Sequence, residues 1–376
     1  MERSKSICFV TTGDIKYVAT AKRALGLANH LFDLGWKVSI LMEDTEENRT
    51  RISLECNDKI HVYFFKKASV VNEIKEKNKL IRQISPDILY ICAFVTRNIV
   101  GLCFHGKKLV EHSELMSEIK GMNPLKKQYY KLIEYISVIY SDGLLNASKF
   151  LQQYYYVTAA KLFSKNKPML YFPYAYNAAV CKIADPSNLF IKKDVGGKYF
   201  VYIGNLTKNY GAFTMLKAFE TIHKEYPKYH LMLLGKGRDY QKVIDYITEK
   251  DLKSYIHAQG YVEEKDISNY FTLADAFISP MNDTIQDWAR CPSKLYMYLP
   301  YLKPIITCKI GEPYEVLKDK GIYYEPSSVE SLTNALKDLS KKSSWTLEID
   351  PFQHEWKQRA IEFDSWIKKT YFQDRN

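Results

Sequence analysis

The chain has 376 residues, 46% hydrophobic and 26% charged, which is ample for two ordinary globular cores and excludes a disordered or fibrous protein. A net charge of +11 favours an anionic partner such as a nucleotide, a phospholipid surface or nucleic acid, although a basic surface kept for solubility has the same composition. Seven cysteines, Cys8, Cys56, Cys92, Cys103, Cys181, Cys291 and Cys308, lie apart without a C-x-x-C pair, and no apolar run has the length of a signal peptide or a membrane span, so a cytoplasmic protein with reduced core thiols is expected.

The first half alternates strands and helices. Ile7-Cys8-Phe9-Val10 is a buried-strand run followed by a turn at Gly13, a helix from Ala24 to Leu34 that closes at Gly35, and a strand from Trp36 to Met42. This βαβ opening starts a parallel, doubly wound sheet, in which ligands bind near first turns such as that of Gly13. There is no G-x-G-x-x-G, so a dinucleotide cofactor is not expected. Strands at residues 60–64 and 86–91 flank a polar helix from Val70 to Ile84. A helix from Arg97 to Phe104 then leads to the strand 108–111 and to His112-Ser113-Glu114 at its C-terminal end. Lys120 to Tyr140 combines lysines with Leu125, Tyr129, Leu132 and Ile136, the composition of a basic interfacial helix and equally of a packed surface helix.

The second half restarts the alternation. Strand 199–204 is followed by the polar turn Asn205 to Gly211 and a helix from Phe213 to Tyr226. Strand 230–234 ends at Gly235-Lys236-Gly237, a helix runs from Tyr240 to Lys250, and Ile256 to Val262 precedes a helix from Ile267 to Ala274. Ala276-Phe277-Ile278 is a strand that stops at Ser279-Pro280, before a polar loop carrying Asp283, Asp287 and Arg290. Pro292-Ser293 suits a helix start, because proline's missing N–H is not needed there. Lys294 falls in that first turn, where a cation opposes the positive helix end unless an anion is to be bound. The helix runs to Tyr301, and the strand 305–308 follows Lys303-Pro304. Phe352 to Phe372 is a final amphipathic helix.

The run Asp283, Arg290, Pro292-Ser293-Lys294-Leu295, Tyr298, Lys303-Pro304-Ile305-Ile306, Gly311-Glu312 resembles the donor-site segment of GT-B glycosyltransferases of the family 4 type. Met297 stands where such proteins usually carry an acid for the ribose, and Leu302 where they carry Gly. Gly204 to Gly211 resembles their "GrL…KG" turn, with Asn205 and Tyr210 in place of the Arg and Lys and with Lys208 to supply charge. The resemblance implies a GT-B fold of two Rossmann-like domains facing across a cleft: residues 1–172 for the acceptor, 173–350 for the nucleotide-sugar, and 351–376 a helix packing back toward the first domain. It implies donor contacts from Gly13, Asn205, Lys208, Gly235, Tyr261, Val262, Asp283, Arg290, Ser293, Lys294 and Leu295. His112, at a strand end, resembles the histidine that approaches the donor sugar. Glu111 and Glu114 either bracket an acceptor contact or pair with His112, and Asp283 either orients Arg290 or closes a turn with Asn282.

The implied reaction is retaining, metal-independent transfer from a nucleoside-diphosphate sugar to a glycan or lipid-linked acceptor, in surface polysaccharide synthesis, at the inner face of the membrane. Absence of D-x-D and of zinc-ligand spacing argues against a metal, and no cofactor beyond the donor substrate and no nucleic acid partner is expected. A nucleotide-sugar 2-epimerase of the same fold and an inactive nucleic-acid-binding relative remain as alternatives.

Overall fold

The computed structural model describes residues 5–15, 18–162, 167–179, 181–184, 194–341 and 345–372. The chain divides into two compact units, one of Met1–Tyr174, Ala289–Cys291 and Trp356–Asn376, the other of Ala175–Trp288 and Pro292–Glu355.

The first unit is built on seven parallel strands. In chain order its elements are β1 (Ser6–Val10), α1 (Ala19–Asp33), β2 (Lys37–Glu43), α2 (Glu46–Glu55), β3 (His61–Phe65), α3 (Val70–Ile84), β4 (Ile88–Ile91) and β5 (Lys107–His112). Then come α4 (Pro124–Tyr140), β6 (Gly143–Asn146), α5 (Lys149–Lys161) and β7 (Met169–Tyr171). The spatial order is β3-β2-β1-β4-β5-β6-β7, all parallel. Helices cover both faces of such a sheet, so its strands read as continuous apolar runs. Ile7, Cys8, Phe9 and Val10 are accordingly buried.

The helix expected over residues 97–104 is only a 3-10 turn, Thr96–Asn98. Gly101 there has a φ of +68°, which an α-helix does not accommodate, and the polar groups of the segment are taken by α3. Lys77 Nζ donates to Asn98 Oδ1 at 2.7 Å, and Arg97 Nη1 donates to Glu73 Oε2 at 2.6 Å. The helix expected from Lys120 starts at Pro124 instead, because Asn123 caps it through the Leu125 N–H.

Beneath the middle of this sheet lies an ion pair. Arg23 Nε is 2.5 Å from Glu111 Oε1, both side chains being almost wholly buried. Arg23 Nη2 also donates to the Phe172 carbonyl at 2.7 Å, and Tyr90 donates to Glu111 Oε2 at 2.6 Å. Burial pushes the Glu111 carboxyl upward, against the pull of Arg23 and the Tyr90 bond. The closing helix of the chain, α13 (Trp356–Tyr371), completes this unit. Its Trp356 indole lies where a Cβ on Gly26 would come within 2.6 Å, and its Asp364 accepts from Trp36 Nε1 at 2.9 Å.

The second unit repeats the architecture with six parallel strands. Its elements begin with β8 (Lys198–Ile203), α6 (Ala212–Ile222), β9 (Tyr229–Leu234), α7 (Tyr240–Glu249), β10 (Ile256–Gly260) and α8 (Glu264–Leu273). They continue with β11 (Ala276–Ser279), α9 (Ile285–Ala289), α10 (Ser293–Tyr298), β12 (Ile305–Thr307), α11 (Gly311–Leu317), β13 (Ile322–Tyr323) and α12 (Val329–Ser340). The order is β10-β9-β8-β11-β12-β13. The expected polar loop before α10 thus contains a short helix, α9, started by Thr284, whose Oγ1 receives the Asp287 N–H at 3.2 Å.

Two features position the edge of this sheet. Tyr298, stacked on Phe277 at 4.2 Å, receives the Ile203 N–H on its hydroxyl at 3.1 Å and so ties α10 to the end of β8. Lys303 Nζ donates to the carbonyls of Phe271, Thr272 and Ala274, closing the end of α8, where carbonyls lack helical partners. Leu302, between them, holds a left-handed φ of 51°, a conformation that glycine adopts at no steric cost.

Candidate functional site

In the second unit, three strands end on glycines at the C-terminal edge of the sheet, where doubly wound folds bind ligands. Gly204 follows β8, Gly235 follows β9 and Gly260 ends β10. Gly204 and Gly235 have φ values of +144° and +120°, and a Cβ on Gly235 would sit 2.4 Å from the Gly204 carbonyl oxygen. Only glycine permits both the backbone conformation and that approach. The turns are further laced together. Gly235 N donates to Gly260 O at 2.6 Å, Leu206 N to Lys236 O at 3.2 Å, and Lys208 N to Asp239 Oδ2 at 2.9 Å.

Lys294, in the first turn of α10, hangs its ammonium over this knot. Its Nζ lies 3.8 Å from the Tyr202 ring centroid and 2.9 Å from where a Gly204 Cβ would stand. A cation over an aromatic face is attracted by the ring and held in place. The Asn205 and Lys208 side chains are exposed beside the same turn, and the partly exposed Gly235 forms part of it. Leu295 is fully buried and anchors α10, whereas Ser293 is partly exposed. Tyr261 is 55% exposed just past β10, with Val262 half-buried after it. This edge offers a fixed cation and room close to the main chain, a combination that suits a phosphate.

Asp283 is exposed, and its Oδ1 accepts from Trp288 Nε1 at 2.8 Å rather than closing a turn with Asn282. Asn282 Nδ2 turns instead to the Asn209 carbonyl at 2.6 Å.

Arg290 belongs to the first unit and Lys294 to the second. Arg290 is buried and follows Ala289, whose carbonyl accepts from Ser148 Oγ at 2.7 Å just beyond β6. Cys291 Sγ accepts from the Tyr174 N–H at 3.2 Å. Residues 289–291 are thereby fastened to the C-terminal edge of the first sheet.

On that same edge, Gly13 follows β1 with a φ of +74°, and His112 ends β5. His112 is 7% exposed, its ring stacked on Tyr155 at 3.9 Å and its Nε2 3.0 Å from Ser137 Oγ. Burial pushes the His112 imidazolium down to about 3, so the ring is neutral at physiological pH. Neither reading of Glu111 holds. It is buried against Arg23 and Tyr90 and so neither pairs with His112 nor offers an acceptor contact. Glu114 is exposed.

Sequence reasoning did not single out Ser137, Tyr155, Tyr202 or Asp239. A signal for Ser137 existed, since it falls one helical turn after Ile133 on the inward stripe of α4, where a lone hydroxyl must find a partner. Among the described residues, no group of three or more His, Cys, Asp or Glu is placed to hold a metal ion. No described helix is long and apolar enough to cross a membrane.

Residues 189–363 match the family described as Glycosyl transferases group 1. A stretch of 79 residues is 24% identical to the alpha-monoglucosyldiacylglycerol synthase of Acholeplasma laidlawii, covering 21% of this chain and 20% of that protein. Among solved structures, the Anabaena protein HepE in complex with UDP and glucose aligns with a TM-score of 0.74 at 12% identity, over 96% of this chain and 99% of that one. The sucrose-phosphate synthase of Thermosynechococcus elongatus aligns with a TM-score of 0.77 at 13% identity, over 98% of this chain and 99% of that one. Likeness at this identity speaks to architecture: the two parallel-sheet α/β units are those of the GT-B fold.

Proposed function

We propose that this chain, which carries a group 1 glycosyltransferase domain over residues 189–363, moves a sugar from a nucleoside-diphosphate sugar to a glycan or lipid-linked acceptor. The observation that carries the reading is Lys294 poised over the interlocked Gly204 and Gly235 turns. There the diphosphate of the donor lies against the main chain, with Lys208 beside it. As the bond to the sugar breaks, negative charge grows on the leaving diphosphate, and fixed cations stabilise that charge without reorganising. Uridine is the favoured base, because the HepE structure holds UDP. Retention of configuration, independence of metal and a role in surface polysaccharide synthesis complete the reading, on the resemblance of the donor segment. The epimerase and nucleic-acid alternatives are not favoured by a group 1 domain.

A membrane-bound acceptor is supported by α4. Leu125, Tyr129, Leu132 and Ile139 are all exposed and recur every three, four or seven residues, forming one apolar stripe, with Leu125 81% open to solvent. Lys126 and Lys131 flank the stripe, a pattern suited to the surface of an anionic bilayer. Flotation with anionic and neutral vesicles tests this part: selective recovery with anionic vesicles supports it, and equal or no recovery with both removes it.

The donor reading is tested by thermal shift with a panel of nucleoside diphosphates and their sugars. UDP or UDP-sugars should raise the melting temperature, since a ligand bound only by the folded state stabilises it. No shift with any nucleoside diphosphate overturns the reading.

A further inference from the structure

Helices α4 and α5 leave an open cleft between them. Its volume is about 270 Å³, and every residue that lines it belongs to the first unit. Lys131 and Tyr135 of α4 form one wall, and Phe150, Tyr154, Val157 and Lys161 of α5 form the other. The α5 residues follow one another at intervals of three or four, so they share one face of that helix.

Charge in this cleft has a single sign. α5 contains no acid, and the one acid of α4, Glu134, is buried, its carboxylate accepting from Ser117 N and Ser117 Oγ, each at 2.9 Å. Neither Lys131 nor Lys161 has a hydrogen bond or ion pair among the described residues. The floor's own polar groups are satisfied within the protein. Thr158 Oγ1 donates to the Tyr154 carbonyl at 2.9 Å, and the Tyr154 hydroxyl donates to Glu134 Oε2 at 3.3 Å. A ligand therefore meets ring and aliphatic surface with two ammonium groups at the rim, which suits an anion carrying an apolar body. The volume lies just below the lower bound of about 300 Å³ for pockets that take whole drug-sized molecules, so the cleft suits a headgroup rather than a nucleotide.

We propose that this cleft binds the phosphate-bearing headgroup of an anionic phospholipid, with Lys131 and Lys161 meeting the phosphate and the aromatic walls meeting the glycerol and first methylenes. The inference rests on the membrane reading of α4 and deepens it. Tyr135 lies three residues after Leu132 and four before Ile139, so the cleft wall adjoins the exposed stripe on the same helix. Val157, 41% exposed, carries apolar surface to the far rim. A lipid whose tails stay in the bilayer beneath the stripe thus places its headgroup between the helices. The stripe adheres to an anionic surface in general, whereas the cleft adds a site for one lipid.

Calorimetric titration of the full chain with dihexanoyl phosphatidylglycerol, kept below its micellar concentration, reads the cleft without a bilayer. Glycerol phosphate is the free-phosphate arm, and dihexanoyl phosphatidylcholine is the arm without net charge. The wild type should bind one equivalent of the anionic lipid and the other two at least about tenfold more weakly. Lys131→Ala and Lys161→Ala should each weaken lipid binding about tenfold, the value of a charge-assisted contact. Lys126→Ala removes the same charge from α4 outside the cleft and should change binding less than about twofold, because salt screens a distant exposed charge. Val157→Trp fills the cleft from its rim, keeps both lysines and should abolish binding. All four positions are exposed or half-buried, and melting curves check that the variants fold. Equal losses in the three lysine variants, no effect of Val157→Trp, or glycerol phosphate bound as tightly as the lipid overturns the proposal. Vesicle flotation keeps two failures apart. A wild type that floats on anionic vesicles but binds no soluble lipid loses the cleft and keeps the membrane reading. A wild type that does not float loses the membrane reading, and the proposal falls with it.

Discussion

The Lys294 ammonium sits 3.8 Å from the Tyr202 ring centroid, while the Tyr202 hydroxyl donates to the Asn205 carbonyl at 2.9 Å. One tyrosine therefore fixes both the cation and the turn beneath it, so charge and backbone are aligned before any ligand arrives. Lys294→Met should lower affinity for UDP, or the rate of transfer, by roughly ten- to a hundredfold, the value of a charge-assisted contact of about 1.5–3 kcal/mol. Its melting temperature without ligand should stay close to wild type, because the charge is unfavourable at a helix start. Calorimetric titration of UDP, beside melting curves, checks both; unchanged affinity would sink the donor-site assignment.

With Lys294 over the Gly204 turn and Lys208 beside it to meet the charge of a diphosphate, transfer should persist in a chelator. Turnover, or hydrolysis of the donor, measured in EDTA is the check. Complete loss, restored by manganese or magnesium, contradicts the metal-independent reading.

Gly235→Ala should be far more damaging than Gly35→Ala. Both positions have positive φ, but a Cβ at 35 meets nothing within 4 Å, whereas one at 235 strikes the Gly204 carbonyl at 2.4 Å. Backbone strain alone costs about 1–3 kcal/mol, and the collision adds to it at 235 only. Denaturant melts of the two variants measure the difference, and UDP binding should be impaired only in Gly235→Ala. Equal stability losses would show that the close approach is unimportant.

Arg23→Met leaves Glu111 buried without its partner, and such a break costs about 3–5 kcal/mol. Arg23→Met with Glu111→Leu should recover part of that loss, since the isolated charge is removed together with its partner. Chemical denaturation of both single variants and the double variant gives the coupling; additive losses would mean that the pair does not act as a unit.

His112 makes stability depend on acid. Its folded pKa lies far below the value of about 6.5 in an unfolded chain, so the unfolded state binds more protons between the two. Stability is therefore full above about pH 6.5 and falls as pH drops toward 3, at up to about 1.4 kcal/mol per unit for this one group. His230 and His257 are also lowered by burial and add losses of the same sign, so the informative quantity is the difference between wild type and His112→Gln. Urea melts from pH 7.5 to 5 should show a shallower loss in the variant; parallel curves would mean that the ring is not buried neutral.

Much of this architecture is legible in the chain because parallel strands buried on both faces leave unbroken apolar runs, as in Ile7 to Val10 and in Leu231 to Leu234. Helix α2 was not legible, since Glu46 to Glu55 has almost no apolar period. Its cues are instead local, a Thr45 cap on the Asn48 N–H and two acids in the first turn. α5 was hidden for a different reason: its core is a run of three tyrosines and a valine, residues that also suit strands. The strand-ending glycines and Lys294 could be found by spacing. The bond between His112 and Ser137 could not, because it joins a strand to a helix 25 residues later.

Helix α4 looks two ways. Its inner face carries Ser137 and Glu134, which set the His112 imidazole, while its outer face carries the apolar stripe of Leu125, Leu132 and Ile139. A helix rotates as one body, so any contact that turned its outer face by a few degrees would also shift the Ser137 hydroxyl against the His112 ring.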